Sequence, residues 1–150
     1  MSTDPFETAE VSHVLFGTDG SEEARRAQRW AMGIARFWGA KATVVCAFDS
    51  PRSFRKRGSM VLPQVREEME EEAREIAAEA AAELKANGVD ADGVAFEGSA
   101  VDAILHFAEE RKSNVVVIGG GGREGPRDYL VGSTVERIVR HSPVPVLVIK

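Results

Sequence analysis

The sequence is poor in the residues that form disulfides and metal centres. It has one cysteine and three scattered histidines among 150 residues, so an internal disulfide is excluded and no zinc-ligand spacing is present. No apolar run reaches the ~20 residues that a membrane-spanning helix requires. The polar, acidic start at residues 1–5 lacks the basic flank and apolar stretch of a secretory signal. These absences predict a cytoplasmic protein with no membrane partner.

Positive charge is also in the minority. The 19 Lys and Arg residues are outnumbered by 24 Asp and Glu residues, which gives a formal net charge of −5. Proteins that bind nucleic acid or anionic membranes have a basic surface, so nucleic acid is not expected as a partner. The length and the 43% hydrophobic content predict one globular domain over residues 1–150, with a loose N-terminus at residues 1–10.

Short apolar runs alternate with helical patterns along the chain. Strands are predicted at Val11–Thr18, Ala42–Phe48, Asp92–Glu97, Val115–Ile118 and Val146–Ile149. Helices are predicted between them, over residues 21–38, 64–87, 99–111 and 133–142. This order predicts an α/β fold, an open parallel sheet with helices on both faces. Cys46 is expected to be buried and inert in its strand, and Trp38 is expected in the core.

Two turns after predicted strands are the candidate sites, because ligands of open parallel sheets bind beyond the carboxyl ends of the strands. One is the turn from Thr18 to Ser21. The other begins with four glycines, Gly119–Gly122, and ends at a helix start, Gly132–Thr134. Glycine N–H groups can approach an anion closely, and a helix N-terminus adds further donors. A phosphate site and a plain loop with Ser133 as the helix cap both remain open.

The best-known nucleotide motifs do not explain this segment. A Walker A loop ends in Gly-Lys-Ser or Gly-Lys-Thr, and the sequence contains neither tripeptide. Gly120, Gly122 and Gly125 match a dinucleotide fingerprint in spacing. However, Pro126 follows at once and the helix begins only near Ser133, so we interpret that match as accidental.

The glycine segment is instead similar to the ATP-binding signature of the universal stress protein family. The similar elements are Gly119-x-x-Gly122, nine residues, and then Gly132-Ser133. The resemblance extends to residues 16–21, to the helix entry at Gly98-Ser99 and to the ending at residues 142–149. It implies a Rossmann-like fold of the adenine nucleotide α-hydrolase type, with five strands in the order 3-2-1-4-5. The two turns would then flank one crevice.

The resemblance also implies a ligand and a set of binding residues. The ligand would be ATP with Mg²⁺ or Mn²⁺. The residues implied at the adenine are Thr18, Asp19 and Ala47; those at the ribose are Ile118 and Gly119; those at the phosphates are Gly121, Gly122, Gly132, Ser133 and Thr134. Asp19 would accept a hydrogen bond from the adenine amino group or a ribose hydroxyl, or hold the metal through water. Family members often place a basic residue in the first glycine turn, where this chain has Gly120-Gly121; Arg123 and Arg127 are candidates to replace it.

Three functions follow as expectations. The first is an ATP-binding stress-response or signalling module; the second is a slow ATP hydrolase at the same site; the third is a structural dimer that binds no nucleotide. The sequence shows no Walker lysine and no paired carboxylates opposite the glycine loop, so turnover is expected below the ~10 s⁻¹ median of enzymes. As the resemblance also implies, a homodimer is expected through the last strand, Val146, Leu147, Val148 and Ile149. A Leu147→Pro substitution is expected to disrupt that pairing.

Overall fold

The computed structural model describes residue 3 and residues 5–48, 63–120 and 132–150. Most of the predicted glycine turn lies outside these residues, including Gly121, Gly122, Arg123 and Arg127. In the part of the chain that the structure describes, no helix is both long enough and apolar enough to cross a bilayer.

The described residues form five strands and four helices in alternating order. The strands are β1 (His13–Gly17), β2 (Lys41–Phe48), β3 (Ala91–Glu97), β4 (Val115–Gly119) and β5 (Val146–Ile149). The helices are α1 (Glu22–Trp38), α2 (Pro63–Ala86), α3 (Ala100–Glu110) and α4 (Ser133–His141). The element order is as predicted. The first strand is shorter than predicted at both ends, since Ser12 donates its backbone N–H to the Asn114 side chain and Thr18 already belongs to the following turn.

All strand pairs are parallel, and the sheet order is β3-β2-β1-β4-β5. This confirms the expected fold class and the order 3-2-1-4-5. The register places Leu15 of β1 between Thr43 of β2 and Val116 of β4. Strands β2 and β3 therefore extend the sheet on one side of β1, and β4 and β5 extend it on the other side. The carboxyl ends of β1 and β4 are neighbours at the point where the strand order reverses.

The helices form one layer on each face of the sheet. Alternate strand residues divide between the two faces: Phe16 packs under α1 and α2, and Leu15 packs under α3 and α4. The face of α1 that meets the sheet consists largely of small residues, which lets the helix axis lie close to the strands; its buried alanines are Ala24, Ala27, Ala31 and Ala35. The core thus has two halves separated by the sheet.

Local capping fixes where two of these helices begin. The Ser21 Oγ accepts a hydrogen bond from the Ala24 N–H at 3.2 Å, and the Ser99 Oγ accepts one from the Asp102 N–H at 3.0 Å. Gly39 ends α1 in the left-handed region, with φ at 65°. Side-chain oxygen caps of this kind stabilise a helix by ~1 kcal/mol each, and they confirm the start signals in the sequence.

The prediction that Trp38 is in the core is wrong. Its side chain is 40% exposed at the last residue of α1, where its ring meets the Phe37 ring edge-on at 5.5 Å. The alanine face of the helix fills the space above the sheet, so the indole lies at the rim instead.

The expected effect of Leu147→Pro also needs correction. Val116 donates its N–H to the Pro145 carbonyl, and Gly120 donates to that of Ile149. Odd-numbered residues of β5 therefore turn their backbone groups toward β4. Leu147 belongs to that set, so proline there removes a hydrogen bond inside the sheet. The backbone groups of Val146 and Val148 are the ones that face outward.

Candidate functional site

A cleft of about 420 Å³ lies at the carboxyl ends of β1 and β4, where the strand order reverses. Its walls come from the β1–α1 turn, the ends of β2 and β4, the first turn of α4 and one side of α3. The residues lining it are Gly17, Thr18, Asp19, Ser21, Glu23, Ala24, Val45, Ala47, Ala100, Ala103, Ile104, Ile118, Gly119, Gly132, Ser133, Thr134, Val135 and Ile138. This position is the usual ligand site of open parallel sheets.

The structure brings most of the predicted site residues together in this cleft. Eight of the ten line it, namely Thr18, Asp19, Ala47, Ile118, Gly119, Gly132, Ser133 and Thr134. The other two, Gly121 and Gly122, lie outside the described residues. That these residues bind a ligand remains a prediction.

The β1–α1 turn is held in one conformation by its own hydrogen bonds. The Thr18 N–H donates to the Val45 carbonyl at 3.0 Å, which ties the turn to β2. The Thr18 hydroxyl accepts from the Gly20 N–H, and an Asp19 carboxylate oxygen accepts from the Ser21 N–H at 2.9 Å. Gly20 has φ at 79°, a conformation that suits glycine. The turn therefore presents the exposed Asp19 carboxylate at a fixed place on the cleft wall.

The N-terminus of α4 forms the opposite wall and differs from the capped helix starts. Its N-cap residue is Gly132, which has no side chain to accept from the first-turn N–H groups. Ser133 is the first helical residue, so its expected alternative role as the helix cap is wrong. The N–H groups of the first turn have no acceptor within the helix. Because Ser133 and Thr134 line the cleft, this helix end offers backbone donors, two hydroxyls and a positive dipole end to a ligand.

The charges of the described lining are unbalanced. Asp19 and Glu23 are the ionisable residues among the lining residues, and both are acidic. Glu23 was not predicted as a site residue, and its position follows from packing: a Cβ added at Gly119 would lie 3.1 Å from the Glu23 carbonyl group. In the described ranges no group of three or more His, Cys, Asp or Glu side chains could hold a metal ion. A metal ion bound in the cleft would therefore need ligands other than these side chains.

One wall of the cleft is apolar, and of the residues named below only Ala47 was predicted from the sequence. Val45 and Ala47 alternate on one face of β2, and α3 contributes Ala100, Ala103 and Ile104. Spacings of three and four residues place the α3 residues on one side of that helix, so the helical periodicity was the available signal. The periodicity did not show that the apolar side of α3 extends past the sheet into the cleft. The small side chains leave room for a flat ring.

Cys46 lies close to the cleft but is not among its lining residues. Its side chain is 3% exposed and packs on the opposite face of the sheet, under α1 and α2. Burial raises the pKa of the thiol to about 11, and the negative charges of Asp19 and Glu72 act in the same direction. A protonated, buried thiol is a poor nucleophile, which agrees with its expected inert role.

His13 lies at the other end of the sheet, at the start of β1. Its Nδ1 is 2.8 Å from the Ser113 hydroxyl, and its Nε2 is 2.9 Å from the Thr43 hydroxyl. Thr43 in turn donates to Asp92, which forms a salt bridge with Arg111 at 3.1 Å. Burial lowers the pKa of His13, and the positive charge of Arg111 lowers it further. This network is structural and separate from the cleft.

Comparison with known proteins gives one consistent result. Residues 10–150 match the model of the universal stress protein family. Universal stress protein MJ0531 of Methanocaldococcus jannaschii is 30% identical over 139 residues, which cover 91% of this chain and 81% of that protein. A universal stress protein solved in complex with cAMP is 26% identical, with a TM-score of 0.68, and the match covers 95% of this chain and 98% of that one. The solved structure of the protein MJ0577 has a TM-score of 0.79 over 95% of this chain and 97% of its own, and at 22% identity it shows a shared fold.

Proposed function

The chain belongs to the universal stress protein family, and we propose that it binds ATP in the cleft and acts as a nucleotide-dependent stress-response or signalling module. The observation that carries this proposal is the pairing of two features in one cleft. An uncapped helix N-terminus suits phosphate, and an apolar wall of small residues suits a purine ring.

The adenine is proposed to lie against the apolar wall. Val45 and Ala47 would contact one side of the ring, and Thr18 and Asp19 border it at the β1–α1 turn. A carboxylate accepts hydrogen bonds and does not donate them, so Asp19 would accept from the 6-amino group of adenine and would repel the 6-carbonyl of a guanine held in the same orientation. The cAMP complex of the related universal stress protein supports an adenine nucleotide.

The phosphates are proposed to lie at the start of α4. The N–H groups there, together with the Ser133 and Thr134 hydroxyls, would donate to phosphate oxygens. Mg²⁺ or Mn²⁺ would be held mainly by those oxygens and by water, as Mg²⁺ commonly is in nucleotide sites. The described lining fits this arrangement, because with Asp19 at the adenine it leaves the Glu23 carboxylate and no complete protein cage for a metal ion. Arg123 or Arg127 would add the cationic side chain that the described lining lacks.

Slow hydrolysis of ATP is a second candidate activity. The two carboxylates are the only ionisable side chains of the described lining, and neither has an activating partner such as a histidine or lysine within it. We therefore expect turnover well below ~10 s⁻¹. Retained ATP in a purified sample would separate the module from an efficient hydrolase.

We also propose that the protein is a homodimer that pairs β5 with its copy in antiparallel orientation. Among the described strands, β5 pairs with β4 alone, so one of its edges faces outward. An open edge of this kind favours pairing with another chain. Val148→Pro removes an outward N–H and is expected to weaken the dimer, whereas Leu147→Pro is expected to destabilise the fold itself. A Val148→Pro protein that dimerises like the parent would contradict this pairing.

A Gly132→Val substitution tests the proposed site. Gly132 has φ −61° and ψ 154°, which valine adopts without strain, so the fold should be retained. The added methyl groups would block close approach of phosphate to the helix end, and ATP affinity should fall at least tenfold. The matched control is Gly33→Val on α1, where a Cβ meets no atom within 4 Å apart from its chain neighbours and its own helix backbone. Equal ATP affinity in the Gly132 variant and the control would refute the site.

A further inference from the structure

Helix α1 carries a line of apolar residues that its own chain leaves partly uncovered. Trp30 is 56% exposed and Trp38 is 40% exposed, and Ile34 lies between them. A spacing of four residues places all three on one side of the helix. We call these three residues the α1 strip. Trp30 and Trp38 are also the only tryptophans in the sequence.

The α1 strip faces the β5 edge of the molecule. On the other side of α1, the Gln28 amide donates to Glu83 of α2 at 2.6 Å. Trp30 follows Gln28 by two residues and is therefore turned by about 200° around the helix. Because α2 covers β2 and β3 whereas α1 lies over β1, β4 and β5, the side away from α2 is the β5 side. Ile34, Leu147 and Ile149 all pack against the apolar cluster that fills this face of the sheet.

The other face of the β5 edge is apolar as well. Helix α4 lies against β5 there, and its Val139 is 51% exposed. The outward edge of β5 is therefore flanked on one face by the α1 strip and on the other by Val139. A single partner that pairs with this edge would cover apolar side chains on both faces.

The surface area that a stable interface requires indicates which partner covers the β5 edge. A ladder of four residues is only about 13 Å long, whereas a stable interface covers roughly 800 Å² on each partner. A tryptophan buries about 150–250 Å² in full, and the 56% of Trp30 and the 40% of Trp38 that stay exposed in one copy are available to the contact. A two-fold axis perpendicular to the sheet supplies a matching β5 edge and places the second α1 on the same face. A second copy can therefore pair with the outward backbone groups of β5 and cover the exposed tryptophans of α1 at the same time.

We propose that the α1 strip packs against the α1 strip of a second copy, across the two-fold axis that relates the paired β5 strands. This inference rests on the β5 pairing proposed above and names the side-chain contact that completes it. Arg29 and Arg36 are exposed on the same helix beside the strip, and they would stay in water at the rim of this contact.

The two tryptophans report directly on this contact. Tryptophan emission and acrylamide quenching would be measured from nanomolar to high micromolar protein, with sedimentation velocity on the same samples. We expect dimer formation to shift the emission to shorter wavelength and to reduce quenching, with the same midpoint concentration as the change in sedimentation. Trp30→Phe and Trp38→Phe variants assign the signal to each ring.

A charge placed in the contact provides the second test. Trp30→Glu should raise the dimer Kd at least tenfold while the circular dichroism spectrum stays unchanged, because the indole is more than half exposed in one copy. The control is Val65→Glu on α2, also an exposed apolar position at 42%, which should leave Kd within twofold. If Trp30→Glu fails to fold, the emission measurements on the parent still decide.

These experiments can distinguish failure of the α1 contact from failure of the β5 pairing on which it rests. A dimer whose tryptophans keep their monomer emission and quenching would overturn the α1 contact and leave the β5 pairing standing. A chain that sediments as a monomer throughout would overturn both. A monomer whose emission shifts only with anionic lipid vesicles would overturn the inference in favour of a membrane occupant.

Discussion

Replacing Gly93 by alanine tests the packing of the longest helix on the sheet. A Cβ at Gly93 would lie 2.5 Å from the Ala77 carbonyl oxygen and 3.0 Å from the Ala78 nitrogen. Both contacts are with backbone atoms of α2. No rotamer change relieves them, so either the helix or this part of β3 must move.

The expected cost follows from what α2 holds in place. Moving the helix outward would loosen its buried face, which comprises Ala73, Ala77, Ala80, Ala81 and Leu84. Overpacking of a core costs about 1–3 kcal/mol, and a backbone clash belongs in the upper part of that range. For a chain of this size each kcal/mol lowers Tm by about 2–4 °C. We therefore expect Gly93→Ala to lower the free energy of unfolding by at least ~2 kcal/mol, and Tm by about 4–12 °C.

Thermal unfolding followed by circular dichroism at one protein concentration measures this difference. The control is Gly33→Ala, the same chemical change at a helical position where a Cβ meets no atom within 4 Å apart from its chain neighbours and its own helix backbone. Alanine is favoured over glycine in a helix by ~1 kcal/mol, so this control should melt above the parent. A Gly93→Ala protein that melts within about 1 °C of the parent would refute the close approach of α2 and β3.

Three further predictions concern the cleft, the thiol and the histidine network. Ala47→Phe adds an aromatic ring, which needs a space of about 150 Å³, the volume of a cavity that binds benzene, to a cleft of about 420 Å³. ATP affinity should fall at least tenfold in a titration, and unchanged affinity would place the adenine elsewhere. Cys46, with its pKa raised to about 11, should react with a thiol reagent at pH 8 only after denaturant is added, and rapid labelling of the native protein would contradict its burial. Because the folded pKa of His13 is lowered, the unfolded chain binds a proton first as pH falls below ~6.5. The free energy of unfolding should therefore decrease as the pH falls from that value to the folded pKa. In denaturant titrations at several pH values, His13→Gln should remove this part of the pH dependence, and an unchanged pH dependence would contradict the role of His13.

The sequence predicted the elements well because their boundaries depend on local chemistry. Ser21, Ser99 and Gly39 act within one helical turn, and the apolar runs of the strands are short and distinct. The order of the strands could not be predicted in the same way, because no local sequence pattern indicates which strands are neighbours in the sheet. The juxtaposition of Asp19 and Ser133 was expected only from the family resemblance.

The features that sequence reasoning missed are those that depend on the sheet as a whole. The outward exposure of Trp38 follows from the position of α1 beside the edge strand. The direction of the Leu147 backbone follows from the register between β4 and β5, which hydrophobic alternation does not fix. The apolar side of α3 was visible as a periodic pattern, yet its extension into the cleft depends on where that helix crosses the sheet.

Calorimetric titration of the purified protein with ATP and GTP, each with Mg²⁺, tests the central claim most directly. We expect saturable binding of ATP with one site per chain, at least tenfold weaker binding of GTP, and a matching loss of ATP binding in Gly132→Val. Equal affinities for ATP and GTP would contradict the assigned adenine contacts. The absence of any heat of binding for ATP, with the nucleotide-free state of the protein verified, would contradict the proposed function.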